Sequence, residues 1–359
     1  MTGFNSANLE QLFWGVGPTQ VSDLLQKIDQ SGNITHFFGR LLWEYNYPPS
    51  NEFQNFLNAL GSRKIQLVMF LNKHFRGSDL QRNILLNNGI CIFVDFFQWR
   101  VYSEIIIKKK NSVNSIYNPS SKTFLFLTGK PHRINRIGLL WYLSQGNLLD
   151  LCQNSLYVQD IDRPRVREIL ESLGSTEPDR FIDANINNPD GIAMRYWNDG
   201  SCHYRGIPYD PRLYAQNLFR LISESSFHHQ ANGPWITEKT WLTICNHSAF
   251  IMAGDVGTLA DLESRGFRTF KEHLAVPDYD QISNASLRME AIVKNTQHWL
   301  TTQLDHDKIQ KDISHNYQNF LSEAQMGLTK TKQDLAHHDI HIPFDQLVPT
   351  GDFYETGII

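Results

Sequence analysis

The chain holds little cysteine, little charge and no long apolar run. Its four cysteines, Cys91, Cys152, Cys202 and Cys245, stand far apart with no CxxC spacing. That excludes a disulfide-stapled scaffold and a zinc ribbon, and three of the four sit in apolar settings, as reduced core thiols of a cytosolic protein do. Charged residues make up only 19% against 41% hydrophobic, which excludes a disordered chain. There is no basic excess: the formal net charge is −4, so binding to a polyanion has to come from local patches. Apolar runs such as Leu67–Leu71 are too short to span a bilayer. The first thirty residues contain Glu10, Asp23 and Asp29 instead of a basic segment leading into an apolar one. No repeat and no low-complexity tract is present. These absences set the expectation of a cytoplasmic protein, in the host cytoplasm if viral, with no membrane contact and a monomeric state.

What is there is a chain of 359 residues, long enough for two α/β lobes. Val21–Ile28 places Val21, Leu24, Leu25 and Ile28 on one helical face. Phe53–Leu60 reads as a helix, followed by short β-rich runs at Ile65–Leu71 and Ile90–Phe97 of the kind buried on both faces of a parallel sheet. Residues Lys108–Lys122 are polar and turn-rich, as in a linker. A strand at Thr123–Thr128, a turn at Gly129–Arg133 and a helix at Ile134–Gln145 then open a second lobe. Gly174–Pro211 reads as loop. Tyr214–Glu224 ends in a strand, Thr237–Ile244 begins a helix with Thr237 as its cap, and Ala249–Ala253 is a further strand. From Leu287 to about Leu335 the pattern is helical with one break. The expected domains are an acceptor-side Rossmann-like lobe over 1–118, a nucleotide-sugar-binding lobe over 119–286, and helices and tail over 287–359 returning to the first lobe.

Two constellations carry chemistry. In Thr128-Gly-Lys-Pro-His-Arg-Ile-Asn-Arg136, Gly129 permits a sharp turn, and Lys130, His132, Arg133 and Arg136 gather at a helix entrance. The free N–H groups and partial positive charge there suit an anion, and these side chains can add charge-assisted bonds to a diphosphate. A solvated basic first turn is the alternative, and its charge opposes the helix dipole. In the second, a strand ends at Ser223-Glu224-Ser225 and a helix opens with Thr237-Glu238-Lys239. Ligands of open α/β sheets lie beyond the carboxyl ends of the strands, where a glutamate can hold ribose hydroxyls and Lys239 can neutralise a phosphate. A capped helix with a solvated Glu–Lys pair is the plainer reading.

The ordered set of basic-histidine turn, Ser-Glu-Ser strand end, Ile236-Thr-Glu-Lys239 helix and following Phe-Ile strand resembles the donor lobe of fucosyltransferase-like GT-B glycosyltransferases. It resembles more closely a phage and giant-virus glycosyltransferase group with a Gly-Lys/Arg-Pro-His-Arg turn, a Glu-Lys-Thr helix and a Gly-Phe-x-Thr-Phe segment, here Gly266–Phe270, followed by Asp278-Tyr-Asp280. The match covers about 120–295. It implies an α/β GT-B fold of two Rossmann-like lobes facing a cleft, with a long C-terminal helical segment. It implies a UDP- or GDP-type sugar donor, no tightly bound cofactor, diphosphate contacts from Arg133 and Lys239, ribose contact from Glu238, and Glu224 facing the ribose or the sugar. Ser225 stands where the fucosyltransferase pattern has Asn, which leaves the sugar open.

The candidate base is Asp95, at the end of an apolar strand run, or Glu44 in Leu41-Leu-Trp-Glu-Tyr45. The acceptor is read as hydroxymethylated pyrimidine in double-stranded phage DNA. Its contacts would be Lys73, Arg76, Trp99, Lys108, Lys109 and Lys110, with Arg63, Lys64, Arg82, Phe75 and Phe97 among them. The alternatives are a glycan or lipid-linked sugar acceptor, a non-catalytic nucleotide- or glycan-binding module, and a protein that only binds nucleic acid. No metal site is expected. Asp160-Ile-Asp162 precedes Arg163-Pro-Arg and reads as loop, the pairs His228-His229 and His337-His338 lack i,i+4 spacing, and Gly15-Val-Gly17 is too short for a dinucleotide fold.

Overall fold

The computed structural model describes residues 25–26, 29, 55–68, 98, 101–102, 117–127, 131, 133–156, 158–186, 213–227 and 234–338. It also describes the backbone of 6–8, 36–41, 51–54, 69–72, 89–94 and 211–212. The chain forms two compact units, one of residues 1–104 with 324–359 and the other of 105–323.

In the first unit, strands β1 (Ser6–Asn8), β2 (His36–Leu41), β3 (Gln66–Asn72) and β4 (Gly89–Val94) lie in that order in one parallel sheet. The two expected apolar strands are β3 and β4. Helix α1 (Asn51–Ser62) buries Phe56, Leu57 and Leu60 on one face and exposes Asn58. It ends where Lys64 takes a left-handed φ of 56° and the Ile65 N–H closes on the Leu60 carbonyl, turning the chain into β3. Within this unit the Tyr102 hydroxyl donates to Gln325 Oε1 at 2.9 Å.

The second unit holds a parallel sheet of β5 (Phe124–Phe126), β6 (Cys152–Asn154), β7 (Phe219–Ser223) and β8 (Phe250–Ala253), in the order β6-β5-β7-β8. The chain leaves β5 for β6 on one side and returns to β7 on the other, so the direction of winding reverses between β5 and β7. That reversal is where open α/β sheets of Rossmann-like winding leave a crevice.

Helix α2 (Ile134–Gln145) follows β5, α3 (Arg163–Ser172) follows β6, and α4 (Pro178–Phe181) runs into a π-helical turn at 182–186. The loop expected over 174–211 is therefore helical at 178–186, because Pro178 opens a helix and Phe181, Ile182 and Ile186 are buried. Residues 187–210 lie outside the described part. Helix α5 (Pro211–Gln216) leads into β7, α6 (Glu238–Cys245) into β8, and α7 (Thr258–Ser264) follows. The long C-terminal pattern is two helices, α8 (Ala285–Thr301) and α9 (His306–Ala336), broken once as expected.

Aromatics fill the second core. Phe124 and Phe219 stack at 5.3 Å across β5 and β7, and Trp299 of α8 meets Phe219 edge-on at 5.1 Å. Gly138 lets α2 approach α8 closely, since a Cβ there would stand 2.7 Å from Met289 Sδ. The edge of β8 is covered by Tyr279, whose hydroxyl donates to the Met252 carbonyl and accepts from the Met252 N–H. Segment Gly266–Phe270, part of the resemblance, is here a packing element. Phe267 and Phe270 are buried, Asn316 bonds both the N–H and the carbonyl of Arg268, and Arg265 pairs with Glu323 at 2.6 Å while lying over Trp241. No helix among the described residues is long and apolar enough to cross a membrane.

Candidate functional site

The carboxyl ends of β5 and β7 border the point where the winding reverses. Helices α2 and α6 begin just beyond them, so both helix entrances adjoin that crevice. Asn135, in the first turn of α2, donates its amide to Ser223 Oγ at 2.9 Å and to the Glu224 carbonyl at 3.0 Å. The entrance that follows β5 is thus tied to the end of β7.

Glu224 is fully buried. Its Oε1 accepts from the Thr237 N–H at 3.1 Å and Thr240 Oγ1 at 2.5 Å, and its Oε2 from Thr237 Oγ1 at 2.5 Å and the Ser225 N–H at 3.3 Å. Every lone-pair direction is used, so Glu224 braces the entrance of α6 to the end of β7 and presents no surface to a ribose or sugar. Thr237 occupies the cap position of α6, but its hydroxyl donates to Glu224 and accepts from Lys239 and caps no helix N–H. The Lys239 ammonium outcompetes a neutral N–H as donor to that oxygen.

Lys239 is also buried. Its Nζ donates to Thr237 Oγ1 at 2.9 Å, Glu238 Oε1 at 3.1 Å and Ser225 Oγ at 3.3 Å, with Glu224 Oε2 at 3.9 Å. Ser225 and Glu238 are half-buried, and the Glu238 side chain keeps 25% of its surface, so it is the more exposed carboxylate of the pair. Arg133 stands half-buried at the entrance of α2, its side chain with no hydrogen bond or ion pair among the described residues, and Arg136 is buried one turn on. Gly129, Lys130 and His132 lie outside the described residues.

Arg220 is the residue that sequence reading missed. It is fully buried on β7, with Nη1 donating to Tyr214 Oη at 2.7 Å, Thr243 Oγ1 at 2.8 Å and the Lys239 carbonyl at 3.1 Å, and Nη2 to the Leu127 carbonyl at 3.4 Å. It forms no ion pair among the described residues, so its charge is met only by neutral dipoles. The signal was a lone cation inside the apolar run Phe219–Ile222. Asp255, just past β8, was missed as well. Its Oδ2 accepts from the Trp235 N–H at 3.1 Å and so orders the approach to α6. Arg288 of α8 donates to the carbonyls of Phe227 and Ile282 and holds the loop after β7, and its burial lowers its pKa. Asp280 is buried nearby and burial raises its pKa to about 6, against the pull of the Leu259 and Ala260 N–H groups, Lys271 and Arg288.

The remaining expectations divide simply. Asp95, Glu44, Lys73, Arg76, Trp99, Lys108, Lys109 and Lys110 lie outside the described residues. Arg63 does not present a free cation, since it pairs with Asp29 at 2.9 Å. Asp160 and Asp162 fall in the turn before α3. Cys152 and Cys245 are free thiols, and burial raises the pKa of both. Glu272, His273 and Asp312 converge, but the Lys308 ammonium reaches Glu272 at 2.5 Å and Asp312 at 2.7 Å and supplies the positive charge there.

The arrangement suits an anion: two helix entrances, one carrying Arg133 and the other Lys239, adjoin the strand ends, and the buried Arg220 behind them has no ion pair among the described residues. Comparison with protein-family models, curated proteins and solved structures finds no match to this chain.

Proposed function

We propose that the chain is a glycosyltransferase of GT-B type that binds a UDP- or GDP-type sugar donor at the β5/β7 crevice. One observation carries this reading. Among the described residues Arg220 is buried without a carboxylate partner, and Lys239 and Arg133 stand at neighbouring helix entrances. Burying an uncompensated cation costs several kcal/mol, and a bound diphosphate supplies the missing charge. Arg133 and Lys239 hold the diphosphate, Lys239 by exchanging its 3.3 Å bond to Ser225 for a phosphate oxygen, and Glu238 takes the ribose hydroxyls. Glu224 acts through Thr237 and Lys239 as a positioning residue.

In the transfer, the bond from the anomeric carbon to the diphosphate breaks and one to the acceptor oxygen forms. The acceptor proton passes to a carboxylate, for which Asp95 and Glu44 are the candidates, and the cations of the edge stabilise the departing diphosphate. The acceptor we propose is a hydroxymethylated pyrimidine of DNA. It rests on the sequence resemblance and on the lysines and aromatics of residues 63–110. A glycan acceptor is the second reading.

The test incubates the full chain with a panel of UDP and GDP sugars and either DNA containing 5-hydroxymethylcytosine or an oligosaccharide. Digested nucleosides that gain a sugar mass support the DNA reading. Transfer to the oligosaccharide alone replaces it with the glycan one, and binding without transfer or donor hydrolysis leaves a nucleotide-binding module.

A further inference from the structure

Away from the sheet's carboxyl edge, the second unit carries a recess of about 380 Å³ between α2 and the α4–π-turn segment. Trp141 and Gln145 line it from the far half of α2. Trp141 lies eight residues beyond Arg133, or about 12 Å along the helix axis, so the recess is separate from the diphosphate edge. Its volume falls within the range of about 300–1,000 Å³ usual for small-molecule sites.

The walls are held in place from several sides. The Trp141 Nε1–H donates to the Leu173 carbonyl at 3.1 Å, and Phe181 meets the indole edge-on at 5.3 Å. The α4–π-turn segment is clamped to α3 by Arg163 on Asp179 and Asp183, and by Arg167 on Asp179 at 2.8 Å. Each of these partly exposed pairs is weak alone, but together they set the position of Phe181 and Asn185. The π turn itself is a rare geometry that recurs at functional sites, and the Asn185 amide donates to the Phe181 carbonyl at the start of that turn.

The lining offers side-chain polar groups that have no partner among the described residues. Ser175 is 8% exposed, yet its hydroxyl has no hydrogen-bond partner among the described residues. The oxygen itself is open to the recess, so it can both donate to and accept from a ligand hydroxyl. Thr176 adds a second hydroxyl at the mouth, and neither it nor Asn185 Oδ1 has a partner among the described residues. Charge is balanced, because Arg180 pairs with Glu177 at 2.9 Å.

We propose that this recess binds a single neutral pyranoside ring. An indole face attracts the weakly positive C–H face of a pyranose. Sugar hydroxyls both donate and accept, as do the hydroxyls of Ser175 and Thr176, while Asn185 Oδ1 accepts. The balanced charge of the lining favours a neutral ligand over a phosphate or a carboxylate. This inference does not rest on the transferase reading.

Saturation-transfer NMR on the full chain with methyl β-glucopyranoside, methyl β-galactopyranoside and N-acetylglucosamine tests it. At least one is expected to receive saturation on its ring protons. Trp141→Ala removes the ring face and Thr176→Trp fills the mouth from an exposed position; each is expected to reduce the signal to background. Thr176→Trp leaves the core untouched and decides the matter if Trp141→Ala does not fold. Excess UDP is expected to leave the signal unchanged. No transfer to any of these sugars, a signal that survives Thr176→Trp, or one that UDP displaces overturns the proposal.

Discussion

Arg220 and Lys239 are joined through the main chain: the buried guanidinium donates from Nη1 to the Lys239 carbonyl at 3.1 Å, while the Lys239 ammonium reaches back to Ser225 beyond the end of β7. Two like charges thus share one strand end and one helix entrance, and the carboxylates there, Glu224 and Glu238, both pair with Lys239. Among the described residues the edge carries more positive than negative charge.

Removing Lys239 should weaken the site directly. A lost charged hydrogen bond costs about 1.5–3 kcal/mol, so Lys239→Met is expected to reduce UDP or GDP affinity about tenfold or more by calorimetry. Unchanged affinity in a folded variant would take Lys239 out of the site.

Arg220→Met separates fold from ligand. Met relieves the buried charge but leaves the four acceptors of the guanidinium without their donor, so the free protein is expected to remain folded with a loss of about 1–3 kcal/mol. The rise in melting temperature produced by saturating UDP or GDP should shrink well below that of the parent. An equal rise in both proteins would show that the guanidinium does not contribute to anion binding.

Glu224→Gln leaves a bracing position with the wrong chemistry. The carboxylate accepts four bonds, and an amide presents an N–H₂ to donors already in place. Urea unfolding is expected to show a loss of about 2–4 kcal/mol. A change under 1 kcal/mol would mean the brace is dispensable.

Asp280 should make stability depend on pH. Its folded pKa, about 6, stands above its ordinary value of 3.8. The folded state therefore holds the proton more tightly, and the stabilising contribution is full below about pH 4 and lost as pH rises through 6. The groups around it are Arg288, Lys271 and the N–H groups of Leu259 and Ala260. Asp280→Asn can keep an acceptor for the Leu259 N–H and removes the titration. Its stability relative to the parent should rise by up to about 3 kcal/mol between pH 4 and 7, read from urea midpoints at each pH. A constant difference would refute the assignment.

Metal independence follows from the proposed chemistry, since cations and helix entrances offset the leaving group's charge. Transfer is expected to persist in excess EDTA. Loss restored by manganese or magnesium would return Asp160 and Asp162 to consideration as ligands.

The sequence by itself determined the local elements of the second unit, because their patterns are local. Ile134–Gln145 is the helix its periodicity predicts, β7 and β8 follow their apolar runs, and one break divides the C-terminal helices. The gathering of cations at the helix entrances was legible for the same reason: neighbours in sequence remain neighbours at the first turn of a helix. Only the tertiary structure decided what each polar group does there. Glu224 and Thr240 lie sixteen residues apart, and Arg220 and Leu127 ninety-three. Nothing in a linear spacing shows that the glutamate is consumed as a brace, or that a lone arginine in an apolar strand reaches the carboxyl end of its neighbour. Strand order decides that. Placing β7 beside β5, and not beyond β6, brings both helix entrances to one crevice, and burial there forces each charge to find a partner or await one.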